Sequence, residues 1–395
     1  GQAKTEKGRV RKSGFDIAVA SEIMAILALS NDLEDLRNRV GAMIIGNSKS
    51  GEPITCEDIG CAGAVAAIMI DAINPNLMQT LEGAPVLVHA GPFANISIGA
   101  NSVIADRLAL KLTGSEEAGK EGYVVTEAGF DFTMGGERFL NIKCRSSGLS
   151  PDCVVLVATI RALKSHGGAP EPKAGQALPA AYTEEHVEFV RNGCCNLVKH
   201  IENIQQYNIP VVVAINKFVT DTENEFNVIK EIALKAGASD CIVSNHWEEG
   251  GAGAVDLAKG VIEACNAPRV AEFKPLYDLE STTIAEKIET IAKKMYGAAD
   301  VEFSEAAQQK LELYTKQGFD NLPICIAKTQ YSLSHDPKLK GSPTGFTLPI
   351  RDIKASVGAG YLYALAGDIQ TIPGLPTLCG FHNVEVNNGE IDGLF

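Results

Sequence analysis

Residues 210–216 read PVVVAIN, and two comparable stretches lie on either side of them in the chain: CVVLVAT at 153–159 and CIVS at 241–244. Each is a short Val/Ile-rich run without polar alternation, as in strands buried on both faces. Helical patterns at 184–207 and 222–236 separate the three runs. Strands that alternate with helices in this way predict an α/β fold with a mostly parallel sheet and helices on both faces.

The pattern extends outward in both directions, with more helices and strands of the same kind. Toward the N-terminus we predict helices at 21–29, 32–40, 63–73 and 102–112 and strands at 85–89 and 123–127. After about residue 267 we predict helices at 283–296 and 304–317, a strand at 323–329, and then a Gly- and Pro-rich remainder. The C-terminal part is therefore expected to form smaller α/β regions of mixed character.

The composition is that of a folded protein, and it disfavours several function classes. Of 395 residues, 45% are hydrophobic and 21% charged, which excludes a wholly disordered chain. The net charge of −14 disfavours a nucleic-acid partner, which would require a basic face. No apolar run approaches the length of a membrane span, and the charged start has no signal-peptide pattern. The ten cysteines lack zinc-ligand spacing, so we expect reduced thiols.

Polar side chains stand where several predicted strands end. His89, Glu127, Asn216 and the Asn-His-Trp sequence at 245–247 occupy such positions. Ligands of open parallel sheets bind beyond the carboxyl ends of the strands, so we expect these groups to face one cleft. Trp247 is the only Trp and precedes a Gly-rich turn, which suits either a stacking platform for a flat ligand or a hydrophobic plug.

Two further segments are candidate anion sites. The small residues of HAGPFAN at 89–95 permit close approach of backbone amides to an anion, or simply a tight connection. Lys143 and Arg145 lie on one side of a presumed strand and would either neutralise a phosphate or carboxylate or form surface salt bridges.

Two nucleotide-binding motifs are present only in part. NKFVTD at 216–221 has Val219 where a guanine-reading loop requires Asp, which disfavours a GTP site. The segment 114–121 fits GxxxxGK, but Glu121 stands where a P-loop requires Ser or Thr, and it precedes a strand rather than following one. The residues by themselves therefore indicate an acidic α/β protein with a cleft for an anionic, partly aromatic small molecule, without defining a reaction.

Longer stretches along the whole chain resemble the formate–tetrahydrofolate ligase (10-formyltetrahydrofolate synthetase) family. The matching segments are FDIAVASEIMAILAL (15–29), DAINPNLMQTLEGAPVLVHAGPFANI (71–96), YVVTEAGF (123–130), NIKCR (141–145), VATIRALKSHGG (157–168), FVTDTENE (218–225), GFDNLPICIAKTQYSLSH (318–335), LPIRDIKASVGAGYLY (348–363) and IPGLP (372–376). In sequence, the chain is most similar to fungal members of the family, which form the synthetase part of C1-tetrahydrofolate synthase.

The resemblance implies a reaction and some of its residues. It implies an ATP-dependent carbon–nitrogen ligase that joins formate to tetrahydrofolate through formyl phosphate. The implied cofactors are ATP and Mg²⁺, and whether a monovalent cation is also required stays open. It implies a P-loop-type α/β domain with two smaller domains, and an aromatic pair around the folate that falls on Phe218 and Trp247. It also places His89 near the active site, and we add Lys143 and Arg145 as catalytic candidates.

The departures from the family pattern qualify these expectations. The family's P-loop precedes the stretch at which this chain starts, so the residues that bind ATP phosphates and metal stay unassigned. Ile70, Ile98 and the GFDFT sequence at 129–133 also differ from many members. We expect either part of an active ligase with the P-loop segment supplied elsewhere, or a catalytically incomplete folate-binding or structural fragment.

The resemblance also suggests a domain organisation and a cellular setting. We expect the remainder of the nucleotide- and formate-binding domain at 1–209, a folate-side α/β domain at 210–300 and a small C-terminal domain at 301–395. The expected partners are tetrahydrofolate, formate, the N-terminal synthetase segment and further copies of the chain, with no nucleic acid or membrane. A cytoplasmic location is expected, and a mitochondrial form stays open.

Overall fold

The computed structural model describes residues 17–114, 122–172, 177–369, 379–387 and 389–393. The charged start of the chain, the GxxxxGK-like segment after Gly114 and the IPGLP stretch at 372–376 lie outside these ranges.

The N-terminal part of the described chain combines helices with two small hairpins. Its elements are α1 (Glu22–Leu29), α2 (Leu33–Ala42), β1 (Ile44–Asn47), β2 (Pro53–Thr55), α3 (Ala62–Ile68), β3 (Asn76–Gln79), β4 (Pro85–Val88) and α4 (Val103–Leu112). β1 pairs with β2 and β3 pairs with β4, both antiparallel. The strand predicted at 85–89 is thus confirmed as β4, but it belongs to a hairpin rather than to the parallel sheet.

Two predicted strands in this part of the chain are wrong. The stretch 123–127 has no regular strand, and the nearest pairing is an isolated bridge between Ala100 and Ala128. The stretch 141–145 is helical, because a π-helical turn at Phe139–Lys143 continues directly into α5 (Cys144–Ser147). Lys143 and Arg145 therefore do not share one side of a strand.

The central part contains the predicted parallel sheet. Its elements are β5 (Val154–Ala158), α6 (Ile160–His166), α7 (Val187–Gln205), β6 (Val211–Asn216), α8 (Glu223–Lys235), β7 (Asp240–Ser244), α9 (His246–Glu249) and α10 (Val255–Asn266). The strand order is β5-β6-β7, and both pairings are parallel. Five consecutive residues of β6 are buried, which confirms the prediction of a strand covered on both faces.

The helices on one side of this sheet pack closely through glycine. A Cβ atom on Gly193 of α7 would lie 1.8 Å from the carbonyl oxygen of Leu163 in α6. A Cβ atom on Gly167, just after α6, would lie equally close, 1.8 Å, to the carbonyl oxygen of Phe189. No side chain fits at either position, so the two glycines allow the backbones of α6 and α7 to touch.

The C-terminal part forms a second, mixed sheet, as the sequence predicted in outline. Its elements are α11 (Ile284–Ile291), β8 (Asp300–Phe303), α12 (Glu305–Lys316), β9 (Ile324–Ala327), β10 (Thr347–Ser356), β11 (Tyr361–Ala366), β12 (Glu385–Asn387) and β13 (Glu390–Asp392). The sheet order is β8-β10-β11-β9, with an antiparallel β10–β11 pair at its centre and a parallel pair on each side.

One buried apolar cluster joins the two sheets. It includes Val213 and Ile215 of β6 and Ile326, Ile350 and Leu362 of the mixed sheet. The boundaries proposed at 209 and 300 stay a prediction. Within the described ranges, none of the helices combines the length and hydropathy of a membrane span.

A buried ion pair fixes the start of α8 against α6. Nζ of Lys164 lies 2.7 Å from Oε1 of Glu225, and both side chains are almost fully buried. Lys164 also donates to the carbonyl oxygen of Glu184, and Glu225 accepts from the amide of His186. The pair therefore holds together two helices and the segment that precedes α7.

We expect Lys164→Met to lower the free energy of unfolding by about 3–5 kcal/mol, because it leaves the Glu225 carboxylate buried without its counter-ion. Urea denaturation measures the change. Lys259→Met, which breaks the solvent-exposed pair with Asp256, is the matched control and should change stability little. Equal effects of the two variants would contradict the role given to the buried pair.

Glu22 links α1 to the turn between β10 and β11. Its Oε1 accepts from the amide of Gly358 at 2.8 Å and from that of Ala359 at 3.3 Å. Burial raises the pKa of the Glu22 carboxyl to about 7, although the two amides oppose the shift. Burial likewise raises the pKa of Glu137 to about 7.

A carboxyl whose pKa is higher in the folded chain stabilises the fold at low pH. The stabilisation is complete below the ordinary pKa of 4.5 and disappears as pH rises through about 7. At 1.36 kcal/mol per pKa unit, the shift of Glu22 corresponds to a loss of about 3 kcal/mol of stability over this window. Glu22→Gln should flatten the fall in stability between pH 5 and 8, measured by urea denaturation at each pH. An unchanged slope would contradict the assignment.

Candidate functional site

The carboxyl edge of the parallel sheet brings three loops together. The ladder between β6 and β7 ends at Asn216 opposite Ser244, and the amide of Lys217 continues it by donating to the Ser244 carbonyl oxygen at 3.1 Å. Because neighbouring strands lie about 4.8 Å apart, the residues that follow each strand are close neighbours. The loops after β5, β6 and β7 therefore share one edge, as predicted for Asn216 and the sequence at 245–247. His89 and Glu127 were expected at the same edge, but neither follows a strand of this sheet.

Phe218 follows β6 and is held by groups from two loops. Its amide donates to Oδ2 of Asp221 at 2.8 Å, and its carbonyl oxygen accepts from the Asp221 amide at 3.0 Å, which fixes the backbone. The guanidinium carbon of Arg161, from the start of α6, lies 4.0 Å from the centroid of the Phe218 ring. One face of the ring is thus covered by a cation, and the side chain remains partly exposed.

Trp247 lies on α9, directly after β7, and its side chain is 91% exposed. The interpretation as a hydrophobic plug is therefore wrong, and the alternative of a stacking platform fits its exposure. The neighbouring His246 is held by a 2.9 Å hydrogen bond between its Nδ1 and the hydroxyl of Ser244. An exposed indole on a fixed backbone is available to a ligand.

The Gly-rich segment after Trp247 folds back on its own start. The amide of Asn245 donates to the carbonyl oxygen of Gly253 at 3.0 Å, and a Cβ atom on Gly253 would lie 2.4 Å from the Asn245 oxygen. The amide of Gly251 donates to Oε1 of Glu82 at 2.8 Å. Since Glu82 lies between β3 and β4, the hairpin contributes its tip to this edge of the sheet.

Three buried polar atoms at this edge have no hydrogen-bond partner within the described chain. They are Nε of Arg161, Oγ1 of Thr220 and Oδ1 of Asp221. Burial raises the pKa of Asp221, while the positive charges of Lys164 and Arg161 oppose the shift. Buried polar atoms without partners are uncommon in folded proteins, but others lie elsewhere in the described chain, so these three do not by themselves mark a binding site.

His89, the first predicted catalytic residue, lies at the end of β4 and is buried. Its Nε2 is 2.7 Å from the carbonyl oxygen of Ala72, so this nitrogen carries the proton. Its Nδ1 accepts from the hydroxyl of Ser102 at 2.7 Å. Both ring nitrogens therefore contact protein groups, and the catalytic role of His89 stays a prediction.

Lys143 and Arg145 also contact protein groups. Nζ of Lys143 lies 2.5 Å from Oδ2 of Asp106 in an almost fully buried pair, where burial lowers the pKa of the lysine. Arg145 donates to the carbonyl oxygen of Tyr277 and lies over the ring of the same residue. Their catalytic roles stay predictions. The alternative of surface salt bridges is wrong, because the Lys143 pair is buried and the partner of Arg145 is a backbone carbonyl.

The structure adds residues to the site that the sequence analysis missed. Arg161, Thr220, Asp221 and Glu82 lie at the same edge as Phe218 and Trp247. Arg161 follows a predicted strand by two positions, which was the available signal. Within the described residues, no group of three or more His, Cys, Asp or Glu side chains could hold a metal ion, so we assign none of them to Mg²⁺.

Comparison with known proteins identifies relatives over the entire chain. A family model described as formate–tetrahydrofolate ligase matches residues 1–395. The cytoplasmic C-1-tetrahydrofolate synthase of Saccharomyces cerevisiae is 65% identical over 398 residues, and that of Homo sapiens is 56% identical over 397 residues. The mitochondrial enzyme of the same yeast is 64% identical over 403 residues. These alignments cover 100% of this chain but only 41–42% of each relative, so the chain spans about two fifths of their length.

Proposed function

The chain belongs to the formate–tetrahydrofolate ligase family, and from that premise we propose that it supplies the folate-binding part of an ATP-dependent carbon–nitrogen ligase. The reaction is formation of 10-formyltetrahydrofolate from formate and tetrahydrofolate. ATP phosphorylates formate to formyl phosphate, and N10 of tetrahydrofolate then attacks the formyl carbon with release of phosphate. The second step requires the amine to be held against the formyl carbon with little water present.

The observation that carries this proposal is the pair of aromatic side chains at one edge of the parallel sheet. Phe218 and Trp247 follow neighbouring strands, Trp247 is 91% exposed, and the Phe218 ring is covered on one face by Arg161. A flat ring placed between two aromatic side chains gains apolar burial and favourable ring contacts.

The phosphate chemistry requires groups that we do not assign to this chain. Phosphoryl transfer depends on a phosphate cradle, positive charge and Mg²⁺. We propose that a further segment of the parent protein supplies them and packs on this chain, extending the parallel sheet into a P-loop-type sheet. ATP, Mg²⁺ and any monovalent cation would bind mainly through that segment.

Two exposed apolar surfaces support this packing. In the described part of the chain, β5 has a paired neighbour on one side only, and Val155 and Val157 are 38% and 63% exposed. The hairpin of β3 and β4 presents Leu77, which is 68% exposed, and Leu81, which is fully exposed. Unpaired strand edges and apolar patches of this kind are usually covered. A second copy of the chain is the alternative occupant, in keeping with the expected homo-oligomer.

The compartment also stays a proposal. The relatives' names give cytoplasmic and mitochondrial forms, and the cytoplasmic location stays our expectation.

We expect tetrahydrofolate to quench the fluorescence of Trp247, the only Trp in the chain. Phe218→Leu should weaken binding about 5–50-fold, because it removes one stacking ring and its buried area. The affinity is measured by titration with correction for ligand absorbance. Phe319→Leu, which alters an aromatic contact with Tyr314 elsewhere, is the control and should bind like wild type. Unchanged emission, or unchanged affinity in Phe218→Leu, would contradict the stacking assignment.

The function itself is tested by assaying 10-formyltetrahydrofolate formation from ATP, Mg²⁺, formate and tetrahydrofolate. We expect activity only when the synthetase segment that precedes the matched region in a relative is added in trans. Size-exclusion chromatography should show the two pieces together. No activity with the segment present would favour the incomplete folate-binding or structural fragment. Activity without the segment would show that residues of this chain bind the phosphates.

A further inference from the structure

The contact between Arg161 and Phe218 is not needed for Phe218 to stack on a ligand, and it therefore calls for its own explanation. Its guanidinium carbon lies 4.0 Å from the ring centroid, within the range of a strong cation–π contact. Arg161 comes from the first turn of α6, after β5, and Phe218 from the loop after β6, so the contact joins two separate segments of the chain. The inference drawn from it rests on the proposed folate site.

The support beneath Arg161 is rigid. Thr159 caps the start of α6 by accepting from the amide of Ala162 at 3.1 Å, and Ile160 and Leu163 are buried on either side of Arg161. Lys164, one position further, forms the buried pair with Glu225. These contacts fix the backbone of Arg161, and the burial of its Nε atom limits where the guanidinium can lie.

The hydrogen bonds of Phe218 leave its side chain free to rotate. Asp221 fixes the backbone of Phe218 through its amide and carbonyl groups, but these contacts do not restrict rotation of the ring about χ1 and χ2. Asp221 also draws Arg161 toward the loop electrostatically. Stacking on the planar guanidinium is a contact that favours one orientation of the ring.

We propose that Arg161 is a positioning residue, which stacks on one face of Phe218 and holds the ring ready to receive the aromatic ring of tetrahydrofolate on its opposite face. The cation also draws the π electrons of Phe218 toward itself. The opposite face is then less electron-rich and repels an electron-rich reduced pterin less. Arg161 thereby favours binding without touching the ligand.

A double-mutant cycle separates this role from direct contact with an anionic group of the ligand. Arg161→Met keeps the apolar stem and removes the charge and the planar group. It should weaken tetrahydrofolate binding about 3–10-fold when Phe218 is present. In the Phe218→Leu background the same change should alter affinity less than about twofold. Phe218→Tyr, which keeps the ring, should restore the full effect of Arg161→Met.

Two further variants control for charge and for surface effects. Arg161→Lys keeps the charge but loses the planar stack, so it should fall between wild type and Arg161→Met. Arg191→Met removes an exposed Arg from α7 and should leave affinity unchanged. Equal losses for Arg161→Met with and without the Phe218 ring would overturn the proposal, because they would show direct contact with the ligand.

A ligand-free measurement tests the positioning even if tetrahydrofolate does not bind. The chain has 14 Phe residues, and replacing them with 4-fluorophenylalanine gives ¹⁹F signals from which that of Phe218 is identified by its loss in Phe218→Leu. We expect Arg161→Met to shift and broaden the Phe218 signal, while Arg191→Met leaves it unchanged. An unchanged signal in Arg161→Met would overturn the inference. Absence of folate binding by wild type would overturn the proposed function instead.

Discussion

The buried ion pair between Lys164 and Glu225 is the interaction on which the candidate site depends. Two charges removed from water are tolerated only when both are present and well placed, so the pair permits little displacement of α8 relative to α6. These helices begin at the same edge of the sheet: Arg161 lies in the first turn of α6, and Phe218 lies in the loop that leads to α8. The spacing that brings the guanidinium onto the ring is thus set by a contact in the interior. Gly167 and Gly193 let the backbones of α6 and α7 touch, and this contact also helps to fix the position of α6.

The parallel sheet was predictable because its signal is local. The runs at 153–159, 210–216 and 241–244 are Val/Ile-rich, and each became a strand of the sheet. The run at 85–89 has the same composition but pairs with Asn76–Gln79, and sequence composition does not specify a pairing partner. The segment at 141–145 was taken for a strand because basic residues alternate in it. The helical path that starts upstream at Phe132 decides its conformation.

The site was predictable in part for the same reason. Phe218 and Trp247 follow strong strand signals, and family resemblance gave them a role. The position of Arg161 just after a predicted strand was only a weak signal, because its importance arises from a contact with a ring in a separate loop. His89, Lys143 and Arg145 have suitable chemistry in the sequence, but burial and existing partners are properties of the folded chain. Residue type indicates what a side chain can do, and the surroundings decide whether it is available.

A net charge of −14 is compatible with the proposed folate site, because that site relies on the local aromatic surfaces of Phe218 and Trp247. Hydrogen–deuterium exchange of the chain with and without tetrahydrofolate tests this account most directly. We predict slower exchange in the loops at 216–222 and 245–253 and at the hairpin tip at 80–84, with the turn between β10 and β11 unchanged. Slower exchange confined to the surroundings of Glu22 and that turn, with the three loops unaffected, would contradict the account.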